Sequence, residues 1–319
     1  MRASPAHPTF RRLFRPNRLS IGIVMPMSHQ TVQTTDPAQQ FALAALADRL
    51  GFAALWVRDV PLNGPSYPDP LGHLDPWVHL GALAAHTRAI ALVTGAIVSP
   101  LRHPLHVAKG AMSADVVSNG RLILGLGSGD RPPEFAAFEQ DYGQRAQRFR
   151  RHWERIAAAL GTPSRILLDD GDIDANEAFE MRPGPTHGSI PMLSVGSSQQ
   201  SLDWIARNAD GWATYHRPHA VQQGRYALWR TAVDRVAPGE FRSFSSAFSL
   251  HLSEDPHAAP EPITLGYALG RHALADMLEQ HRAMGVHHVM FNLTATGRPV
   301  SDVLEELAQE ILPLFQDEI

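Results

Sequence analysis

The sequence predicts a (β/α)8 barrel, and two kinds of observation support this prediction. Four junctions share one pattern, in which an amphipathic helix stops at a glycine and an apolar, strand-like run follows. Glycine accepts the left-handed conformation that ends helices, and such runs suit strands buried on both faces. Eight strand candidates also alternate with eight helical patterns, although an open doubly wound sheet is an alternative. The four junctions are Ala47–Val57, Ala114–Leu126, Ala206–Tyr215 and His281–Phe291.

Each predicted strand is a short apolar or β-rich run of the kind that a buried parallel sheet requires. The eight predicted strands are Leu19–Met25, Ala53–Arg58, Ile90–Val98, Arg121–Leu126, Met192–Val195, Gly211–Tyr215, Phe244–Leu252 and His288–Leu293. Helical patterns follow the strands, and proline in a first turn marks two of their starts, Asp75-Pro76 and Arg298-Pro299. The eight predicted helices are Ala38–Leu50, Pro76–Thr87, Pro104–Ser118, Gln144–Leu160, Ser198–Asn208, His219–Val236, Arg271–Met284 and Val300–Leu312.

The chain has 319 residues, more than the ~250 typical of this barrel. The excess is rich in proline and glycine and is predicted to form insertions after strands two, four and seven, at Val60–Asp75, Gly161–Pro191 and Ser253–Gly270. We expect these insertions to line the entrance to the site, and the middle one to become ordered around substrate.

The remaining chain divides into a basic N-terminal extension, residues 1–18, and one barrel domain, residues 19–319. The extension contains five arginines and no acidic residue. We expect it to be flexible or packed on the barrel, with an organelle-targeting segment as the alternative.

The composition excludes several classes of protein. The formal net charge is −4, so there is no basic field to hold nucleic acid. No apolar run approaches the ~18 residues of a membrane span. The chain has no cysteine, which excludes disulfides and thiolate chemistry and suits a cytoplasmic enzyme.

A glycine-rich run, Gly120–Pro132, resembles the start of a phosphate-binding turn. The dinucleotide spacing G-x-G-x-x-G requires glycine where Asp130 stands, and the following Arg131-Pro132-Pro133 prevents a helix from starting at once. We therefore interpret Gly127–Gly129 as the mouth of strand four, where the absence of Cβ atoms lets a flat ligand approach the backbone. A simple glycine turn is the alternative.

Gly196, Ser197 and Ser198 stand between a predicted strand and a predicted helix. Their hydroxyls and backbone N–H groups suit an anion at a helix N-terminus. The alternative is an ordinary N-cap, in which Ser198 satisfies the first helical turn. His103 and His106 lack the companion carboxylate and motif of a zinc site, so no metal is predicted.

Three stretches together resemble the bacterial luciferase-like, flavin-dependent oxidoreductases. Pro100–Asp130 is similar to that family's third strand, His-Pro, helix and glycine-closed fourth strand. Gly51–Asp59 is similar to its second strand, and Pro191–Tyr215 to its fifth and sixth strands with the cofactor-phosphate turn between them. The resemblance covers Leu19–Leu312.

The resemblance implies a (β/α)8 barrel that holds FMN, or the deazaflavin coenzyme, at the C-terminal mouth. Strand three would lie under the flavin ring, and in this family the contact is often made by a bulge or an unusual peptide bond. Ser128 would lie beside the cofactor, and the serine turn would hold its phosphate. The implied cofactor-binding residues are Thr94, Gly95, Ala96, Ser128, Gly196, Ser197 and Ser198.

One departure from the family affects the predicted catalysis. Many members carry an acid followed by a catalytic histidine at the end of strand two, whereas this chain has Asp59 followed by Val60, with Arg58 before them. Proton transfer would then need another group, and Asp59, Arg58 and His103 are the candidate catalytic residues.

The predicted function is an FMN-dependent monooxygenase that acts on a small organic substrate with oxygen and a separate flavin reductase. A deazaflavin-dependent dehydrogenase of the same fold and a non-catalytic flavin-binding barrel are the alternatives. The family also implies a homodimer.

Overall fold

Eight parallel strands close into a barrel in the computed structural model, which describes residues 7–28, 36–65, 69, 71–167 and 179–315. Around the ring the eight strands follow one another in chain order, and the last strand pairs with both the seventh and the first to close the ring. The predicted barrel is therefore confirmed. The barrel strands are β1 Ser20–Met25, β2 Ala54–Val57, β3 Ala91–Thr94, β5 Leu122–Gly127, β6 Met192–Val195, β7 Gly211–Tyr215, β8 Ser243–Leu252 and β11 His288–Asn292, with a short β4, Ile97–Val98, that pairs with β5.

Helices cover the outside of the barrel, and an apolar layer lies between them and the strands. The predicted helices form, although the one predicted from Ser198 begins only at Leu202, with Ser201 as its N-cap. The helices are α1 Pro8–Leu13, α2 Pro37–Arg49, α3 Pro76–His86, α4 Pro104–Val117, α5 Pro132–Ala137, α6 Arg145–Ala159, α7 Leu202–Asn208, α8 His219–Val236, α9 Arg271–Met284 and α10 Val300–Glu306.

Three of the four junction glycines end a helix as predicted. Gly51, Gly120 and Gly285 have φ values of 87°, 75° and 103°, the left-handed region that glycine accepts without strain. The fourth, Gly211, is instead the first residue of β7. There the absent side chain matters for packing, since a Cβ atom would lie 1.8 Å from Ser243 Oγ on the neighbouring strand.

The N-terminal helix α1 closes the bottom of the barrel. Its Phe10 and Leu13, with the adjacent Phe14, are buried in one cluster with inward-facing residues of the strands. Thr9 Oγ1 donates a hydrogen bond to Gly120 O, and Ser20 Oγ donates one to Leu13 O. Residues 7–18 therefore pack on the barrel, while residues 1–6 lie outside the described part.

The middle insertion does not line the entrance, contrary to the prediction. It joins the end of α6 to the start of β6, and both of these points lie at the bottom of a barrel whose helices run opposite to its strands. Its described residues contact the bottom accordingly, since Thr186 N donates to Asp115 Oδ2 near the end of α4 and His187 packs on His7. Residues 168–178, on which part of the predicted ordering depends, lie outside the described residues.

The other two insertions follow strands and lie at the mouth. The third forms a hairpin of β9 Glu261–Ile263 and β10 Gly266–Leu269, and β10 extends the sheet beside β8. In the described part of the chain, no helix is both long and apolar enough to cross a membrane.

Candidate functional site

Two adjoining cavities open at the C-terminal mouth of the barrel, where barrel enzymes carry their sites. The inner cavity lies over the barrel axis and has an empty volume of about 830 Å³, which includes part of the open mouth. The outer cavity holds about 1370 Å³ and extends toward the serine turn. Residues that line both cavities are Arg58, Gly95, Val195, Gly196, Thr214 and Tyr215. The two cavities thus form one continuous site.

The break after β3 contributes to the lining of both cavities. The Gly95–Ala96 peptide is cis, and both residues line the outer cavity. A Cβ atom on Gly95 would lie 2.6 Å from the Trp56 ring, so only glycine fits against that indole. Thr94 was predicted to bind the cofactor, but it lines neither cavity. Its buried hydroxyl donates a hydrogen bond to Gly125 O and accepts one from Gly125 N, so it ties β3 to β5.

A chain of hydrogen bonds holds Trp56 in the floor of the inner cavity. Trp56 Nε1 donates to His288 Nε2 over 2.9 Å, and His288 Nδ1 lies 2.7 Å from Ser20 Oγ. Because the Ser20 hydroxyl donates to Leu13 O, it accepts from His288, which must then be neutral with its proton on Nδ1. Burial lowers the pKa of His288 to about 3, which agrees with this neutral ring.

The serine turn differs from its prediction in two ways. Gly196, Ser198 and Gln199 have positive φ values of 68°, 45° and 55°, so the chain turns before α7 starts. The Ser198 hydroxyl donates to Val195 O and accepts from Ser194 Oγ. It therefore faces the protein, while Ser197 is exposed on the cavity side. Of the two serine hydroxyls of this turn, only that of Ser197 belongs to an exposed side chain.

Two arginines supply the positive charge that the turn itself lacks. Arg217, after β7, and Arg225, on α8, line the outer cavity together with Ser197, Ser198 and Gln199. Burial, and then the charge of Arg217, lower the pKa of Arg225. Among the described residues, neither arginine has a carboxylate within ion-pair distance. Two guanidinium groups in one cavity wall give it a positive charge of the kind that attracts anions.

Asp59 is buried and both of its oxygens are occupied. Oδ2 accepts from Val98 N and from Arg102 Nε, and Oδ1 accepts from Arg102 Nη2 at 2.8 Å. This bidentate pair fixes the end of β2 to the segment after β4. Asp59 therefore holds the wall of the outer cavity in place, and its oxygens face Arg102 more than the cavity.

Replacing Asp59 by Asn is expected to reduce the free energy of unfolding. The loss should lie near the lower end of the range of about 3–5 kcal/mol that is typical of a broken buried ion pair. The amide cannot compensate the charge of Arg102, whose side chain is 25% exposed. Urea unfolding measures the change. The matched control is Asp75→Asn, which removes the exposed second acceptor of Arg102 and should cost only about 0–1 kcal/mol. Equal losses for the two variants would contradict this account of Asp59.

Arg58 is held at the junction of the two cavities by ionic contacts. Its Nη1 lies 2.8 Å from Asp69 Oδ2, which is also 3.3 Å from His73 Nε2. Burial alone would raise the pKa of Asp69, but the His73 hydrogen bond and the Arg58 charge bring it to about 2. Asp69 is thus a fixed negative charge that orients Arg58 toward the site.

His103 does not reach the site, which corrects its prediction as a catalytic candidate. It is the N-cap of α4, where Nδ1 accepts from Leu105 N at 3.3 Å, and its ring packs edge-on against His106. His-Pro at a helix start makes capping the simpler role for this side chain. Within the described residues, no three side chains of metal-binding type come together.

A parallel eight-stranded barrel with a cavity at the C-terminal ends of its strands is the arrangement in which barrel enzymes carry their sites. The chain belongs to the luciferase-like monooxygenase family, whose model matches residues 19–307. A solved structure of the coenzyme F420-dependent tetrahydromethanopterin reductase from Methanopyrus kandleri has the same fold, with a TM-score of 0.74 at 16% identity over 94% of this chain and 100% of that one.

Two curated relatives carry different cofactors in their names. An F420-dependent hydroxymycolic acid dehydrogenase from Mycobacterium tuberculosis is 29% identical over 206 residues, 63% of this chain and 55% of the relative. The oxygenase component of a flavin-dependent trigonelline monooxygenase from Acinetobacter baylyi is 29% identical over 169 residues, 52% of this chain and 43% of the relative. The matches thus span about half of each relative. The family uses flavin or deazaflavin cofactors for oxidoreductase chemistry.

Sequence reasoning missed three residues of the site. The sequence around Arg102 and Arg225 does not show which groups their charges contact. Glu134 follows two prolines, which suggested only a loop. Two signals were available. The segment before α3 contains several aspartates, whose charges favour nearby arginines, and Glu134 lies in the first turn of a short helix. Neither signal shows which way a side chain points.

Proposed function

We propose that this protein is an FMN-dependent monooxygenase that acts on a small organic substrate with oxygen and reduced flavin from a separate reductase. The observation that carries the proposal is that Arg217 and Arg225 both line the glycine-lined outer cavity together with the positive-φ turn. A phosphate monoester carries about −1.5 to −2 charges at neutral pH, so two guanidinium groups match the phosphate of FMN.

The residues present fit a flavin in the two connected cavities. The Arg217–Arg225 pair and the turn at Ser197 would hold the phosphate, and Gly95, Ala96 and Ser128 would line the ring. When bound, the flavin supplies the redox chemistry, and the barrel supplies orientation and exclusion of water.

The inner cavity is suited to a small, mostly apolar substrate. Apolar side chains form about half of its lining, and its polar groups are Arg58, Thr214, Tyr215, Ser249 and Asn292. Such a lining suits a substrate with an apolar body and a small number of polar groups. Arg58 stands where this cavity meets the outer one.

A deazaflavin-dependent dehydrogenase is the second candidate function. It is supported by the name of the mycobacterial relative and by the same arginine pair, which would also attract the anionic tail of such a coenzyme. A non-catalytic flavin-binding barrel is a third possibility, supported by Val60 at the family's histidine position.

Replacing Arg225 by Gln is expected to weaken FMN binding about ten- to a hundredfold, since a charge-assisted hydrogen bond contributes about 1.5–3 kcal/mol. Riboflavin, which lacks the phosphate, should bind the wild type and the variant alike. Fluorescence titration with the two flavins measures both affinities. The control is Arg230→Gln on the same helix, because Arg230 pairs with Asp234 outside the cavity.

Three outcomes distinguish the candidate functions. Equal losses for FMN and riboflavin would contradict the phosphate assignment. Binding of the deazaflavin coenzyme but not of FMN to the wild type would favour the dehydrogenase. Binding of FMN without substrate-dependent oxygen consumption from reduced FMN would favour the non-catalytic barrel.

A further inference from the structure

The inner cavity is lined by one positive charge and, among the described residues, by no negative charge. The positive charge belongs to Arg58, which directly follows β2. The outer cavity is different, because carboxyl groups line it together with its arginines. The other polar residues that line the inner cavity are uncharged, and they are Thr214, Tyr215, Ser249 and Asn292. The lining of the inner cavity therefore favours an anion over a neutral molecule of the same shape.

The contacts of Arg58 with the protein engage only one of its three guanidinium nitrogens. Nη1 lies 2.8 Å from Asp69 Oδ2 and 3.5 Å from His73 Nε2. Nε and Nη2 contact no acceptor among the described residues, and the side chain is 28% exposed. A guanidinium group carries five N–H donors in a planar fork that matches a carboxylate. Arg58 can therefore stay paired with Asp69 and still bind a second carboxylate.

Asp69 holds Arg58 in place from outside the inner cavity. Its Oδ2 also lies 3.3 Å from His73 Nε2 and 4.0 Å from Arg131 Nη2. Its backbone is fixed on both sides by Asn63, whose Nδ2 donates to Asp69 O and whose Oδ1 accepts from Asp69 N. An arginine that is already held loses less conformational entropy when a ligand binds. Asp69 thus prepares Arg58 for an anion instead of competing with it inside the cavity.

We propose that Arg58 is the substrate-recognition residue of the inner cavity and that the substrate is a small organic acid, whose carboxylate binds this guanidinium group. The inference rests on the proposed function, in which Arg217 and Arg225 hold the cofactor phosphate and the inner cavity holds the substrate. The apolar body of the acid would pack on the apolar part of the lining. That part includes Val24, Trp56, Val195, Phe248, Leu265 and Met290.

The test compares benzoate with benzamide, which have the same ring and nearly the same size, although only benzoate is charged at neutral pH. Isothermal titration calorimetry measures the affinity of each for the full-length protein, with and without FMN. The wild type should bind benzoate about ten- to a hundredfold more tightly than benzamide, as expected for charge-assisted hydrogen bonds. R58Q should lose this preference through weaker binding of benzoate, while its affinity for benzamide stays nearly unchanged.

Two further variants and a folding measurement complete the experiment. R58K keeps the charge without the planar fork and should retain part of the preference. R230Q removes an arginine that pairs with Asp234 outside the cavities and should behave as the wild type. Thermal unfolding should show that R58Q is folded, because Asp69 keeps His73 and Arg131 as neighbours. The comparison of the two probes in the wild type needs no variant at all.

The outcomes separate this inference from the proposed function. Equal affinities of the wild type for the two probes, or equal losses of both in R58Q, would overturn the role of Arg58. A loss of benzoate affinity in R225Q as large as that in R58Q would also overturn it, because the carboxylate would then lie in the outer cavity. Failure of the protein to bind FMN would overturn the proposed function, and the titrations without FMN would still decide whether Arg58 recognises an organic acid.

Discussion

Acidification below pH 6.5 is expected to unfold the protein, because six buried histidines have pKa values well below their ordinary value of 6.5. Burial is the first cause in every case, since a charged imidazolium would lose its hydration. The pKa values are about 4 for His7, His79, His152, His216 and His287, and about 3 for His288.

The sign of the effect follows from proton linkage. Between pH 6.5 and 4 the unfolded chain binds protons on these histidines and the folded chain does not, so the free energy of unfolding falls as the pH falls. The contribution of these neutral, buried histidines to the free energy of unfolding is therefore fully present above pH 6.5. Each pKa unit corresponds to about 1.4 kcal/mol per group, and native domains are stable by only about 5–15 kcal/mol. We therefore expect an acid midpoint of unfolding between about pH 4 and 6.

Urea unfolding at a series of pH values measures this slope, and His216 allows a specific test. Both of its ring nitrogens lack partners among the described residues, and its ring packs edge-on against Phe248 and Tyr267. His216→Phe should therefore lower the proton uptake on unfolding by up to about one. Gln222→Leu replaces another buried, unpartnered polar side chain that does not titrate, and should leave the slope unchanged. Stability that is flat from pH 7 to 4.5 would contradict the prediction.

Truncation of Phe14 to Ala is expected to lower the free energy of unfolding by about 3–5 kcal/mol, the range for large aromatic side chains in a core. Phe14 is 2% exposed and packs on Phe10 and edge-on against His288 inside the bottom of the barrel. Helix α1 has six residues, too few to be stable alone, so its position depends on this packing.

The matched control is Phe179→Ala, because Phe179 is 62% exposed and its truncation should change stability by less than about 0.5 kcal/mol. Thermal or urea unfolding of the two variants gives the comparison. A loss for Phe14→Ala no larger than that of the control would mean that α1 does not close the barrel in solution.

The barrel could be predicted from the sequence because its signals are local. A strand buried on both faces must be apolar throughout, and a helix that packs on it must end in a residue that tolerates positive φ. Gly51, Gly120 and Gly285 carry this signal. Gly211 looks the same in the sequence, but its role arises from the close approach of Ser243 on the next strand.

The site was harder to predict because it depends on where side chains point. The serine turn lies in the predicted place, but three residues with positive φ rotate the Ser198 hydroxyl into the protein and delay α7 to Leu202. The insertion at 161–191 was assigned to the mouth from its composition alone. Its actual position follows from the direction of the chain, since it leaves a helix and enters a strand.

The sequence by itself determined the repeated strand-helix order, the absence of cysteine chemistry and the segments that end at the barrel mouth, because periodicity, composition and chain order are properties of neighbouring residues. Only the tertiary structure decided that Arg102 occupies both oxygens of Asp59 and that Arg217 and Arg225 line one cavity with the serine turn. These contacts join residues from distant parts of the chain. Charge pairing and burial depend on distances in space, which the closing of the barrel sets.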